Sequence, residues 1–215
     1  QLGRAILFAA QDAAAREEES LAVDYALQLL RLSHAMRQGG LVIDALKSYA
    51  YASAACAELE TLIPQLDEEA CKSIGETLEA SLQTMEPVDD LMQRDREFVL
   101  SGQPFLQTLS LRMNATIVAQ LSRPAVAATT QAQSRVQRQM SVLQIRAAIR
   151  IFELAEGRLP DSLDELTPAY LSEPVTASSE GERVYYQRSG DDYVIHTESP
   201  SESPDASGEA SAPDP

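Results

Sequence analysis

The sequence has few of the residues that usually carry catalysis or hold metals. It contains no tryptophan, two cysteines and two histidines, and only 5% of its residues are aromatic. His34 and His196 lie far apart in the chain, and neither has a clustered chemical partner nearby in sequence. Glycine-rich phosphate loops and the GxSxG, HExxH, CxxC and EF-hand motifs are missing from the sequence. We therefore expect a protein that is not an enzyme and that binds no cofactor or metal.

A long apolar run is also missing. No run approaches the roughly 20 residues that cross a bilayer. The chain starts at Gln1, without a methionine, and an apolar patch at residues 6–8 follows closely. We interpret this start as a chain trimmed after a signal or membrane anchor, which predicts a cell-envelope protein, periplasmic or outward-facing. The alternative is a tag remnant ahead of a complete cytosolic protein.

Basic residues are outnumbered, with 17 Lys and Arg against 33 Asp and Glu, so the formal net charge is −16. The segment 198–215 has five acids and no base, and subtracting its −5 leaves −11 for the rest. An acidic chain repels nucleic-acid phosphates, so we expect no nucleic-acid partner. Its predicted partners are other envelope proteins or a second copy of itself, with membrane contact only through the missing anchor.

Hydrophobic residues make up 44% of the chain, and many of them are alanine or leucine, which favour helices. Breaks are predicted at Gly39-Gly40, Pro64, Gly102–Pro104 and Arg123-Pro124. The predicted helices cover residues 2–37, 41–63, 68–85, a segment opening at Pro87, 105–121 and 125–156. The first has an apolar stripe of Leu21, Tyr25, Leu29, Leu32 and Met36. The last has a stripe of Val136, Met140, Leu143, Ala147, Ile151 and Leu154.

The C-terminal part of the sequence changes character after Gly157, which ends the last helix. Residues 161–166 predict a short capped helix, and residues 183–188 and 192–196 predict two strands joined by a turn. The predicted fold is mainly α, with a long-helix bundle and then a small α+β module containing a two-stranded hairpin. The predicted domains are a helical bundle (1–123), the long helix with the α+β module (124–197) and an acidic disordered tail (198–215).

The two cysteines allow two interpretations. If helices 41–63 and 68–85 form a helical hairpin, Cys56 and Cys71 lie on opposing helices, offset by about two or three residues from perfect register. A disulfide could form between them in an oxidising compartment. The alternative is a pair of small buried thiols among alanines.

The order of helix, glycine, Leu-Pro step, short helix and Tyr-rich hairpin resembles the region after the spine helix of G-type pseudopilins of type II secretion. The residues that carry this resemblance are Phe152, Gly157, Leu159, Pro160, Leu163, Leu166, Tyr170, Leu171, Gly181, Val184, Tyr186, Tyr193 and Ile195. Ala177 and Ser178 replace an Asp-Pro step near the calcium site of that family, so we predict no calcium. The whole arrangement also resembles a group of planctomycetal proteins in which a membrane anchor precedes a helical region and this module. That resemblance implies an anchored, outward-facing protein.

Three functions are compatible with these observations. The leading hypothesis is a non-enzymatic structural or protein-interaction protein of the envelope, in a secretion or pilus-like assembly. Its candidate contact residues are Tyr185, Tyr186 and Tyr193, although packing onto the long helix would explain them as well. The second is a helical ligand-binding or sensory domain, whose pocket is framed by the Gly102–Pro104 break and helix 41–63. The third, an enzyme without a recognisable motif, would need convergent polar groups in one deep pocket.

Overall fold

The structure, a computed structural model, describes residues 1–101, 115–172, 183–190 and 192–198. Six α-helices and one two-stranded antiparallel sheet make up the regular structure of this part of the chain. The elements are α1 (Leu2–Ala15), α2 (Glu19–Arg37), α3 (Val42–Leu62), α4 (Glu68–Gln83), α5 (Val88–Ser101), α6 (Ala115–Glu156), β1 (Arg183–Ser189) and β2 (Asp192–Glu198). The predicted class, mainly α with a C-terminal hairpin, is confirmed.

The first predicted helix is wrong, because residues 2–37 form two helices that pack against each other. Glu17 has a φ of 60°, a left-handed conformation that interrupts the helix between Ala15 and Glu19. The amides of Arg16 and Glu18 bond back to the Ala13 carbonyl. Neither glycine nor proline marks this break, so local composition gave no sign of it. The strain of one left-handed residue is offset when α1 folds back and buries Gly3, Ala10 and Ala13.

The predicted stripe on this segment is found in part, because Tyr25 and Leu32 pack against the helical core together with Leu29, whereas Leu21 does not. Leu21 is 41% exposed, whereas Leu29 is fully buried. Helix α2 instead buries two neighbouring rows of residues, because it packs against α1, α3 and α4 together. Its buried apolar residues are Ala22, Val23, Ala26, Leu27, Leu29 and Leu30.

Helices α3 and α4 match the prediction within two residues at each end. Asp67 caps α4, since its side chain accepts a hydrogen bond of 2.9 Å from the Ala70 amide. A single tight helical turn, Ile63–Gln65, contains the predicted Pro64 turn. Helix α5 is tied to the α2–α3 connection, because Asp95 accepts from the Val42 amide at 3.2 Å and Arg94 donates to the Gly40 carbonyl at 2.7 Å.

The predicted break at Arg123-Pro124 is wrong, because α6 continues through Pro124 from Ala115 to Glu156. Both residues are exposed, where the loss of one helical hydrogen bond costs least. The described part of the predicted helix 105–121 belongs to α6, and the break at residues 102–104 lies outside the described residues. The predicted domain boundary at 123/124 falls inside α6, and the division into domains stays a prediction.

Helix α6 contributes to two separate cores. One face carries the predicted stripe from Val136 to Ile151, which packs with α1–α4 into the larger core. Leu154, the last predicted member of that stripe, is exposed instead. The opposite face carries Ile145, Ala148, Ile149 and Phe152 into a second, smaller core with Leu159, Leu166 and Leu171.

The hairpin covers this smaller core. The two strands pair antiparallel with Tyr186 opposite Ile195 and Tyr185 opposite His196. Gly190 adopts a φ of 66° in the turn, as the predicted turn chemistry requires. The predicted short helix is found as a single tight turn at Leu163–Leu166, without a side-chain cap. Of the predicted tail, Glu198 ends β2, and residues 199–215 lie outside the described residues.

Over the described ranges, every helix is too short or too polar to cross a bilayer.

Candidate functional site

The three tyrosines predicted as protein contacts lie on opposite faces of the hairpin. Side chains alternate across a strand, so the neighbours Tyr185 and Tyr186 point away from each other. Tyr186 and Tyr193 pack against the smaller core and are half-buried. Tyr185 lies on the outer face and is 37% exposed. Of the three predicted contact residues, only Tyr185 therefore lies on the outer face of the hairpin. Tyr186 and Tyr193 attach the inner face of the hairpin to the smaller core.

Tyr186 anchors β1 to the loop after α6. Its hydroxyl donates a hydrogen bond of 2.7 Å to the Pro160 carbonyl. Its ring lies 5.8 Å from the ring of Tyr193, centre to centre, in a tilted arrangement. Burial raises the pKa of the Tyr186 phenol, with Arg188 acting in the opposite direction.

Tyr193 connects β2 to the long helix. The Arg146 guanidinium of α6 lies 5.8 Å from the centre of the Tyr193 ring, within range of a cation–π contact. Burial raises the pKa of Tyr193, and the Arg146 charge opposes that rise. Arg146 also forms an ion pair with Glu60 of α3 at 3.3 Å, so the hairpin, α6 and α3 are linked in one chain of contacts.

An ion pair connects β1 to the loop that follows α6. Arg188 of β1 lies 2.6 Å from the Asp161 carboxylate and also donates to the Leu159 carbonyl at 3.3 Å. Asp161 is positioned in turn by Glu165, which accepts from the Asp161 amide at 2.8 Å. Glu165 pairs with Arg158 at 2.7 Å, and this hydrogen bond, together with the one from the Asp161 amide, lowers the Glu165 pKa. These contacts connect the hairpin to the segment that follows α6.

The outer face of the hairpin, which we define as Tyr185, Val194 and His196, is an exposed aromatic and apolar patch. The rings of Tyr185 and His196 stack with centres 5.2 Å apart and planes 11° from parallel. Val194 is 56% exposed on the same face. An exposed patch of this kind on a fixed support is typical of protein-contact surfaces.

Cys56 and Cys71 are both free thiols and both are buried. Burial, reinforced by the nearby Glu60, raises the pKa of Cys56 to about 12. Burial also raises the pKa of Cys71 to about 11, although Arg150 opposes the shift. Thiols with such pKa values are almost entirely protonated near neutral pH, which lowers the reactivity of both in the folded chain. The predicted disulfide stays untested, because oxidation depends on the compartment.

A second candidate site lies between the C-terminal halves of α2 and α4, where two cavities share His34 and Thr84. We call this region the α2–α4 groove. The His34 Nε2 atom is 2.8 Å from the Gln38 amide nitrogen, and its Nδ1 is 3.3 Å from the Thr84 hydroxyl. Burial, and then the charge of Arg37, lower the pKa of His34. The sequence showed no clustered chemical partner for His34.

Arg37, in the last turn of α2, is the unexpected residue of the groove. It is only 6% exposed, whereas arginine is rarely buried unless it is paired. Its Nη2 reaches the Ser81 carbonyl at 3.5 Å, and its guanidinium lies 6.0 Å from the centre of the Tyr49 ring. Burial lowers its pKa. The sequence signal that could have pointed to it was the spacing of Arg31, His34 and Arg37, which share one face of a helix.

The described part of the chain has no cluster of side chains suited to a metal ion. Within residues 1–101, 115–172, 183–190 and 192–198, no group of three or more His, Cys, Asp or Glu side chains is arranged to hold a metal ion. Some of the carboxylates lie in helix first turns, such as Glu68, or in ion pairs, such as Asp161.

Comparisons of the chain with protein-family models, curated proteins and solved structures gave no match. Its function must therefore be inferred from its own residues and geometry.

Proposed function

We propose that this chain is a non-enzymatic structural or protein-interaction component of the cell envelope, within a secretion or pilus-like assembly. We further propose that the outer face of the hairpin is its contact surface. The observation that carries this proposal is the exposure of Tyr185, Val194 and His196 on a hairpin whose opposite face is fixed to α6.

The contacts that hold the inner face of the hairpin raise the affinity that its outer face can have for a partner. Binding costs less conformational entropy when the contact residues are already held in place. Tyr186 is bonded to Pro160, and Arg188 is paired with Asp161, so the backbone of β1 is fixed before any partner arrives. Stacking on His196 likewise restricts the Tyr185 ring. Tyrosine also brings a large apolar area and a polar hydroxyl to an interface at low entropic cost.

The strand edges offer a second mode of contact. In the two-stranded sheet of the described chain, each strand uses one edge for its neighbour and leaves the other edge for a further strand. An extended segment of another protein could add to such an edge through main-chain hydrogen bonds, while its side chains meet the outer face.

The envelope location and the class of partner depend on the resemblance to G-type pseudopilins. Several of the residues that carry the resemblance, among them Phe152, Leu166 and Tyr186, meet in the smaller core. This supports a module of the implied kind, and other envelope proteins or a second copy of the chain are the proposed partners.

The test is a charge placed on the proposed surface of the full-length protein in its native membranes. We expect Val194→Asp to lower the amount of a specific complex, resolved by native electrophoresis and identified by mass spectrometry, by about tenfold or more. A charge buried at an interface without a partner costs at least the 1.4 kcal/mol that corresponds to about tenfold.

The matched control is Phe8→Asp on α1, since Phe8 is 60% exposed and belongs to another region of the molecule. The control should leave the complex unchanged. Equal loss in both variants, or none in Val194→Asp, would exclude the hairpin as the contact surface.

A second function, a helical ligand-binding or sensory domain, is favoured by one specific observation. The buried Arg37 lacks a carboxylate partner in the described chain and lies beside a cavity.

A further inference from the structure

In the part of the chain that the structure describes, Arg37 lacks a balancing charge. Among the described residues, Arg37 has no carboxylate within ion-pair distance, and its Nη1 is buried without a hydrogen-bond partner. Its contacts are one long hydrogen bond to the Ser81 carbonyl and the face of the Tyr49 ring. Buried charges are normally paired with an opposite charge. Within the described part of the chain, Arg37 is therefore a buried cation whose bonding capacity is only partly used.

A cavity lies against this cation. Arg37 lines a space of about 310 Å³ together with His34, Gln38, Thr84 and Glu86 at the C-terminal end of α2. Gly39 completes the lining, and open space surrounds the position where a side chain on it would begin. A volume of this size is at the lower end of the range for small-molecule sites.

We propose that this cavity binds a small organic oxyanion, with its carboxylate or phosphate group held by the guanidinium of Arg37. The proposal is independent of the hairpin contact, because it uses α2 and α4 and none of the hairpin residues. An arginine presents parallel N–H groups that match the two oxygens of a carboxylate or phosphate. Nη1 is buried without a hydrogen-bond partner in the described chain, so a rotation of the guanidinium toward the cavity would supply one donor of such a pair.

The neighbours of Arg37 are compatible with an anion. The Gln38 amide and the Thr84 hydroxyl, which now contact His34, can both donate hydrogen bonds. Glu86 is the one carboxylate in the lining, and it is already paired with Arg94 of α5. Its charge is therefore largely compensated and does not oppose an incoming anion at full strength.

The adjoining cavity of about 330 Å³ suggests where the rest of the ligand would lie. It shares His34 and Thr84 with the first cavity and is lined by Arg31, Thr77 and Ala80 along α2 and α4, with Glu76 as the carboxylate in its lining. Arg31 and Arg37 are six residues apart, which is about 9 Å along a helix axis. An elongated ligand with anionic groups at both ends could reach both arginines.

The test is a titration of the full-length protein with inorganic phosphate and with glutarate, each matched against sodium chloride at equal ionic strength. The readout is the set of arginine Nε–H signals in a ¹H–¹⁵N spectrum. We expect the Arg37 signal to shift and saturate with at least one of the two anions, and chloride to give no saturating shift. Saturation by phosphate alone would indicate a phosphate group, and saturation by glutarate alone a carboxylate.

Two substitutions test whether the guanidinium of Arg37 holds the anion. Arg37→Lys keeps the charge and loses the planar fork, so we expect affinity to fall about tenfold or more. Arg96→Gln removes an exposed arginine of α5 and should leave affinity unchanged. If the lysine variant does not fold, the saturating shift of Arg37 in the wild type decides the question.

One structural alternative would overturn the proposal. Arg37 occupies the last turn of α2, where a cation is favoured by the helix dipole. If Arg37 serves only to complement that helix end, neither anion will shift its signal beyond the effect of chloride. Equal affinity in Arg37→Lys and the wild type would contradict the proposal as well.

Discussion

The helical body and the C-terminal module share α6 but are stabilised differently. The body, formed by α1–α5 and one face of α6, buries a continuous core of aliphatic side chains and alanines. Among the described residues, the hydrophobic cluster of the module has seven buried members, and the module also depends on half-buried tyrosines and on polar contacts at its edge. Burial of apolar area is the dominant stabilising term in folding. The body can therefore tolerate changes on its surface, whereas the module cannot lose its anchoring contacts without loosening the hairpin.

The largest effect should come from the core of the body. Leu59→Ala, at a fully buried position of α3, should lower the free energy of unfolding by about 2–5 kcal/mol, because it leaves a cavity among α2, α3 and α6. Urea denaturation followed by circular dichroism would measure it. Ile43→Ala on the same helix is the control, since Ile43 is exposed, and its effect should stay within about 0.5 kcal/mol.

Leu166→Ala sharpens the contrast between the two regions, because Leu166 is buried to the same extent in the module. We expect its main effect to be faster amide hydrogen exchange in β1 and β2, with the body largely unaffected. If it instead lowers the stability of the body as much as Leu59→Ala does, the two cores form a single cooperative unit.

The next largest effect should be seen in the labelling rate of the two thiols of the body. With pKa values of about 12 for Cys56 and about 11 for Cys71, and with both side chains buried, we expect labelling by a thiol reagent at pH 8 to be about a hundredfold slower than in denaturant. Mass spectrometry of the labelled chain would count the modified cysteines. Rapid labelling of the folded protein would show that α3 and α4 open readily. Failure to label in denaturant without reductant would reveal the predicted disulfide.

The smallest effect should come from one hydroxyl of the module. Tyr186→Phe removes the hydrogen bond to the Pro160 carbonyl and should cost about 0.5–1.5 kcal/mol of local stability. Hydrogen exchange of the β1 and β2 amides would detect it. Tyr185→Phe, on the outer face, should leave that exchange unchanged. Equal effects from both substitutions would mean that Tyr186 does not anchor the hairpin.

Much of the fold could be predicted because its signals are local. Asp67 directly precedes the predicted helix 68–85, at a position where aspartate is a favoured cap, and it caps α4 through the Ala70 amide. Gly157 and Gly190 were placed where the chain turns, and both adopt positive φ angles. The spacing of apolar residues from Val136 to Ile151 predicted the face of α6 that packs on the body. Each of these features depends on a few neighbouring residues.

The sequence predictions are wrong where tertiary packing determines the local structure. The break at Glu17 lacks glycine and proline, and only the packing of α1 on α2 explains it. Pro124 was predicted to end a helix and lies inside α6. Leu21 and Leu154 continue a correct periodicity but reach beyond the surfaces that neighbouring helices cover.

The candidate sites likewise combine features that the sequence can predict with features that depend on tertiary packing. The alternation of side chains along a strand already separates Tyr185 from Tyr186, but which face is outward depends on how the hairpin packs on α6. Arg37 could not be identified from its surroundings in sequence, because its burial is created by α3 and α4. Its spacing from Arg31 and His34 was visible, yet such a row more often forms a solvated helix face.

The most direct test of the central claim, that the module makes contacts and the body supports it, is site-specific photo-crosslinking in native membranes. A photoreactive phenylalanine analogue would replace Val194 on the outer face or Phe8 on α1, both of which are exposed. We predict crosslinks from position 194 to another envelope protein or to a second copy of the chain, and none from position 8. Crosslinks from position 8 with none from position 194 would contradict the account, because the contact surface would then belong to the body.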